Sequence, residues 1–167
     1  MLKKVLRLYS PPHQIKPSFY VAAASFFAIA VLGYLTEYYG HPFLVAPFGA
    51  TCIILFGLSG SPVSMPINVI GSYFMASIIS FLLPHEIWGM ALAVSLTLFC
   101  MLKFRLTHPP AGGIPILVYY TNPTMVDFTF SVVIGVGVLI VLGEIFKKAM
   151  KYEERQHKRK QSRKKTN

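Results

Sequence analysis

The sequence predicts an all-α transmembrane protein of six crossings, arranged as two inverted sets of three segments. Three observations carry that prediction. Of the 167 residues, 54% are hydrophobic and only 13% charged, a balance found in membrane proteins. Apolar runs recur through the whole middle of the chain. The formal charge of +10 is gathered at the two ends. Lys3, Lys4, Arg7 and Lys16 precede the first run, and ten Lys or Arg follow from Lys147 onward against Glu153 and Glu154. Between them stand only Lys103 and Arg105, against Glu37, Glu86, Asp127 and Glu144. Basic residues flanking apolar spans stay on the cytoplasmic side. Both termini are therefore expected in the cytoplasm, which requires an even number of crossings.

The first run, 18–36, is long enough for the roughly 20 residues a crossing needs. A basic start followed by Val21-Ala22-Ala23-Ala24 superficially suggests a cleaved signal, but the run stays apolar through Leu35 and is read as an uncleaved helix. The second, 43–58, is short and begins among prolines. The third and fourth, 67–83 and 87–102, are slightly short. Lys103 and Arg105 then fall on the cytoplasmic side if four crossings precede them. The fifth, 111–121, is again short and broken; the sixth, 128–146, is full length. With all six counted, Glu37, Glu86 and Asp127 fall outside. Four spans with two re-entrant segments are the alternative architecture. The division is thus a basic N-terminus over 1–17, a membrane domain over 18–146 built of 18–83 and 87–146, and a basic tail over 147–167 expected to be disordered.

Each set of three holds its interrupted segment in the middle, and three is odd, so the second set is inverted relative to the first. Matching broken segments in inverted repeats point to a transporter's binding site. The two breaks resemble each other: Pro47-Phe48-Gly49-Ala50-Thr51 follows His41-Pro42, and Thr107-His108-Pro109-Pro110-Ala111-Gly112-Gly113 precedes an apolar run. Extended chain over 42–47 and 106–112 descends to mid-membrane, and helices over 48–57 and 113–121 complete the crossings. Irregular backbone is tolerated there only where protein or a wet cavity surrounds it. Two half-helix N-termini would then meet, offering unpaired N–H groups and partial positive charge to an anion.

Gly49, Gly112 and Gly113 would let a ligand approach bare backbone; Thr51 and Thr107 would add hydroxyls. Mid-span glycines such as Gly71 and Gly135 read instead as close helix packing. His108 is open between binding substrate, relaying a proton, capping a helix and facing lipid heads. Asn68 reads as an N-cap, or as a buried amide that bridges to substrate or to the neighbouring break. Glu144 reads equally as a buried functional carboxylate or as the partner of Lys147 near the surface. Cys52 and Cys100 read as small core residues. The histidines lack metal-ligand spacing, so neither a metal nor another cofactor is expected. No Ser, Cys or His constellation suggests an enzyme.

Thr107-His108-Pro109-Pro110-Ala111-Gly112-Gly113 resembles the signature of the HPP family of integral membrane proteins. Ala46-Pro47-Phe48-Gly49-Ala50-Thr51 with Leu55-Phe56, and Ser61-Pro62, Pro66 and Asn68-Val69-Ile70-Gly71, resemble two further blocks of that family in order. Ser72-Tyr73 stands where the family often shows Gly-His, and Ile114-Pro115 where a small residue is expected. The resemblance implies transport of a small inorganic anion, with nitrite the leading candidate. The alternative is a non-transporting assembly or regulatory subunit. The expected setting is the plasma (inner) membrane, with anionic lipid heads against the basic tails, a homo-oligomer through Gly/Ala faces, and no nucleic-acid partner.

Overall fold

The structure, a computed structural model, describes residues 15–166. Lys3, Lys4 and Arg7 of the basic N-terminus lie outside the described residues. The described chain is all-helical. Helix α1 runs Ile15–Tyr39, and α2 begins as the α-helical turns Pro47–Cys52 and continues as a π-helical turn over Ile53–Gly57. A 3-10 turn at Pro62–Ser64 leads into α3, Pro66–Leu82. Helix α4 covers Ile87–Lys103; a second 3-10 turn, Pro109–Gly113, leads into α5, Ile114–Thr121, and α6 runs Met125–Thr166. The helix thus continues along the backbone through the basic segment for which disorder was expected.

Proline explains most of the starts. Pro47, Pro62, Pro66, Pro109 and Pro115 each sit in the first positions of their element, where the missing N–H costs nothing and the fixed φ favours the helix. Two of the stops use left-handed backbone. Gly40 (φ 66°) closes α1, and Asn122 (φ 42°) closes α5 with its N–H on the Val118 carbonyl, the short polar residue that tolerates this region best after glycine.

Two stretches, Ser18–Tyr39 and Met125–Glu153, are helical, long and apolar enough to cross a membrane, and the helices Pro47–Gly57, Pro66–Leu82 and Ile87–Lys103 are apolar but shorter. At 17 residues, α3 and α4 each measure about 25 Å. Helix α1 is exposed over most of its surface, with 11% of its apolar window buried; it rests on α2 and α6. Helix α3 is the centre of the molecule and touches α4, α5 and α6. The core is a continuous cluster that includes Leu32, Phe48, Val69, Tyr73, Met101, Ile114 and Leu139.

The connections sort onto two ends. At one, His41 and Phe43 meet Phe130, Phe81 meets Phe128, and His85 stacks on Tyr119 while its Nε2 lies 3.3 Å from the Val118 carbonyl. At the other, Phe56 meets Phe146, Ser59–Ser61 face Lys147 and Lys151 across a groove, and Val63 meets His108. Glu144 and Lys147 pair at 3.4 Å at this second end, both partly exposed, so Glu144 is a surface partner and not a buried carboxylate.

Glycine sets two of the closest approaches. A Cβ on Gly135 of α6 would strike the Phe48 ring and stand 2.6 Å from the Phe43 carbonyl. A Cβ on Gly71 of α3 would stand 2.9 Å from a Leu106 methyl. Each of these helices therefore receives the chain entering the other set's broken segment. Next to Gly71, the Ser72 hydroxyl donates to the Leu106 carbonyl, which occupies an acceptor that the irregular backbone would otherwise leave bare.

Candidate functional site

The two broken segments touch. Pro47 at the start of α2 and Gly113 at the start of α5 are close enough that a Cβ on the glycine would stand 3.4 Å from the proline ring. One turn into α2, Thr51 is fully buried, and so is His108. Thr51 Oγ1 lies 3.0 Å from His108 Nε2 and 2.8 Å from the Tyr73 hydroxyl of α3. His108 Nδ1 lies 2.8 Å from the Val63 carbonyl.

Donor and acceptor roles follow from chemistry. A carbonyl only accepts, so Nδ1 carries the proton and donates to Val63. In the neutral ring Nε2 is then a lone pair, and the Thr51 hydroxyl donates to it. Tyr73 in turn donates to Thr51. The result is a directed chain from Tyr73 through Thr51 and His108 to Val63, linking α3, α2, the 109–113 turn and the 62–64 turn. Thr51 Oγ1 also stands 3.3 Å from the Pro47 carbonyl one turn back, a second place for its single proton. Fully satisfied polar groups of this kind are well tolerated in an apolar interior.

Each position is fixed by its surroundings. His108 is extended (φ −137°) before Pro109, as a residue preceding proline must be. Tyr73 is held by the Phe48 ring, edge to face at 5.5 Å. Asn68 donates from Nδ2 to the Pro62 carbonyl at 2.7 Å, and Ser64 donates to Ser61 at 2.7 Å. Both fix the turn that presents Val63. Asn68 therefore holds the 62–64 turn against α3, whose N-cap position is Met65.

Of the residues expected at the site, Pro47, Phe48, Thr51, His108, Ala111 and Gly113 are brought together, with Phe48 and Ala111 buried. Gly49, Ala50 and Pro109 face outward, Pro110 and Gly112 are half-buried, and Thr107 is partly exposed beside His108. A Cβ on Gly49 would meet nothing within 4 Å, whereas one on Gly112 would meet Leu98.

The expectation of free N–H groups is not met. The Phe48 N–H donates to Val45, Gly49 to Ala46, and Ala111 to His108, while Pro47, Pro109 and Pro110 have none to offer. Tight turns at both starts consume the donors that a regular α-helix would leave unpaired. The polar chemistry of the junction lies instead in side chains. Tyr73, Val63 and Ser72 are the participants that the broken-segment motifs did not announce.

An apolar crevice of about 240 Å³ opens beside Tyr73 between α3 and α6, lined by Ile70, Phe74, Val132 and Val136 among others. No group of three or more His, Cys, Asp or Glu able to hold a metal occurs among the described residues.

Residues 10–157 match the family model described as HPP, transmembrane region. No curated protein and no solved structure matches the chain.

Proposed function

The chain belongs to the HPP transmembrane family, and from that premise we propose that it carries a small inorganic anion, nitrite foremost, across the membrane past the junction of its two broken segments. The single observation that carries this reading is the buried contact of Thr51 with His108. An apolar chain of this length has no structural need to bring two interrupted segments, each rich in proline and glycine, together on a hydroxyl and an imidazole. Polar groups at membrane depth are costly and mark substrate paths.

Six crossings in two inverted halves agree with the way the elements touch. Exchanging α1 with α4, α2 with α5 and α3 with α6 turns the α1–α6 contact into α4–α3, and the α2–α6 contact into α5–α3, all of which occur. Under that exchange the meeting of the two breaks and the meeting of α3 with α6 map onto themselves, so the polar junction lies on the relating axis. In this arrangement both termini are cytoplasmic, at the end that carries Lys103, Arg105 and Lys147. Tyr38, Tyr39, Trp88 and Tyr120, all well exposed, form the aromatic belt at the outer end. The setting is the plasma (inner) membrane, and the exposed face of α1 is available to a second copy of the chain.

No Lys or Arg side chain reaches the junction to hold the anion, Lys103 and Arg105 both being exposed. The hydroxyls of Thr51 and Tyr73 and the His108 ring are the polar groups at the junction that would turn to a negative ligand. The test is nitrite uptake by vesicles containing the purified protein at pH 8, where diffusion of nitrous acid through lipid is slow. Uptake well above that of protein-free vesicles is expected. The absence of such flux for nitrite, nitrate, formate and chloride alike would sink the proposal in favour of a non-transporting subunit.

A further inference from the structure

Resting on the transport reading, we propose that His108 carries a proton together with the anion, making the process an electroneutral proton–anion symport. The ring is surrounded by neutral groups. Thr51, with Cys52 beside it, faces His108 from α2; Tyr73 faces it from α3, its ring 5.6 Å away. The 62–64 turn contributes only the Val63 carbonyl. Helices α2, α3 and α5 contain no Asp, Glu, Lys or Arg, and α4 has only Lys103 at its end. Lys103 and Arg105, which precede His108 on its own segment, are exposed. An imidazolium at this fully buried position therefore has no fixed countercharge, and a buried charge without a partner is strongly disfavoured. A small anion supplies that countercharge on arrival. Protonation of His108 and binding of the anion then stabilise one another, and by linkage each raises the affinity for the other equally.

The hydrogen bonds are already arranged for both states. With Nε2 unprotonated, Thr51 donates to it across 3.0 Å. With Nε2 protonated, the ring donates to Thr51 Oγ1 and the threonine proton turns to the Pro47 carbonyl, 3.3 Å away. Nδ1–H stays on Val63 throughout. No heavy atom has to move, and no donor or acceptor is stranded in either state. The cycle balances: Nε2 takes one proton from one side, one anion enters, both leave on the other side, and the lone pair is restored. Net charge movement is zero.

The test uses the full-length protein in vesicles with nitrite as the probe and the protein-free rate subtracted. An inward proton gradient is expected to accelerate nitrite entry, the lumen to acidify with it, and the rate to be unchanged when potassium and valinomycin impose a membrane potential. Flux that follows the potential and leaves luminal pH alone overturns the coupling while leaving anion transport intact; no flux at all overturns the reading beneath it. His108→Gln can still donate to Val63 and accept from Thr51, but it takes up no proton. Whatever nitrite flux it keeps is expected to have lost the effect of the proton gradient at least ~10-fold. Undiminished coupling in that variant rejects the proposal. Should it not fold, the proton count in the unaltered protein decides: one proton entering the lumen per nitrite is expected, and nitrite entry with no accompanying proton rejects the proposal equally.

Discussion

Thr51 has one proton and three polar neighbours, and all three belong to other segments or to the previous turn. Replacing it with valine removes the hydroxyl while nearly keeping the shape. Tyr73 and His108 are then each left with a buried, unpartnered group, a loss of about 1–3 kcal/mol. We expect a lower Tm in detergent for Thr51→Val and recovery of most of it for Thr51→Ser. Gly49→Ala separates binding from packing. Its Cβ meets open space, so no loss of Tm is expected, and a fall in nitrite flux would then report anion approach alone. At this scale the sequence was partly legible. Thr51 and His108 stood out because they lie beside prolines in apolar surroundings. Tyr73 did not, since an aromatic hydroxyl in a regular helix interrupts nothing; only its occurrence where Gly-His is usual marked it. Val63 contributes through its backbone, which no side-chain pattern announces. Asn68 was recognised as notable, but its bond to Pro62 depends on a turn whose shape is visible only in three dimensions.

The two broken elements could be located from the sequence to within a residue or two, because proline and glycine act locally. Pro47 opens α2 and Gly57 ends its last turn; Gly113 precedes α5 and Thr121 ends it. The π-helical turn at Ile53–Gly57, with Leu55 and Phe56 buried, left no such mark. The use of the Phe48, Gly49 and Ala111 N–H groups was also hidden, because the choice between a tight turn and a regular first turn is made by the surrounding protein. Close approach between elements gives an ordered prediction. Gly135→Ala drives a methyl into the Phe48 ring and the Phe43 backbone and should cost about 1–3 kcal/mol or more. Gly71→Ala meets only the flexible end of Leu106 and should cost less; melting of the two variants in one detergent checks the order. At the end of α5, Asn122→Ala keeps a Cβ in left-handed backbone but loses the short polar side chain that eases it. It should melt below Asn122→Gly by the equivalent of about 1 kcal/mol.

For the molecule as a whole, the apolar runs made a membrane protein legible in the sequence, and charge placement carries the six-crossing reading. Six crossings predict a pattern of labelling by an impermeant thiol reagent in a Cys100→Ser background. Glu86→Cys and Pro123→Cys should react from outside, and Gly60→Cys and Phe104→Cys only after the inner face is opened. Inside-only labelling of Glu86→Cys would exclude the arrangement. The exchange of partners between halves was not legible, since it depends on which helix faces which. It bears on how the protein is made. The chain entering α2 is received by α6, and the chain entering α5 by α3. During synthesis α2 reaches the membrane about 80 residues before the glycine that receives it, a wait of roughly 4–16 s at ~5–20 residues per second. For that interval a bent, proline-led segment has no permanent cover. The nascent first half must therefore remain at the insertion machinery or beside a membrane chaperone until α6 emerges. Cut at the 83–86 connection, each half made alone should be degraded, while the two made together should find one another and accumulate.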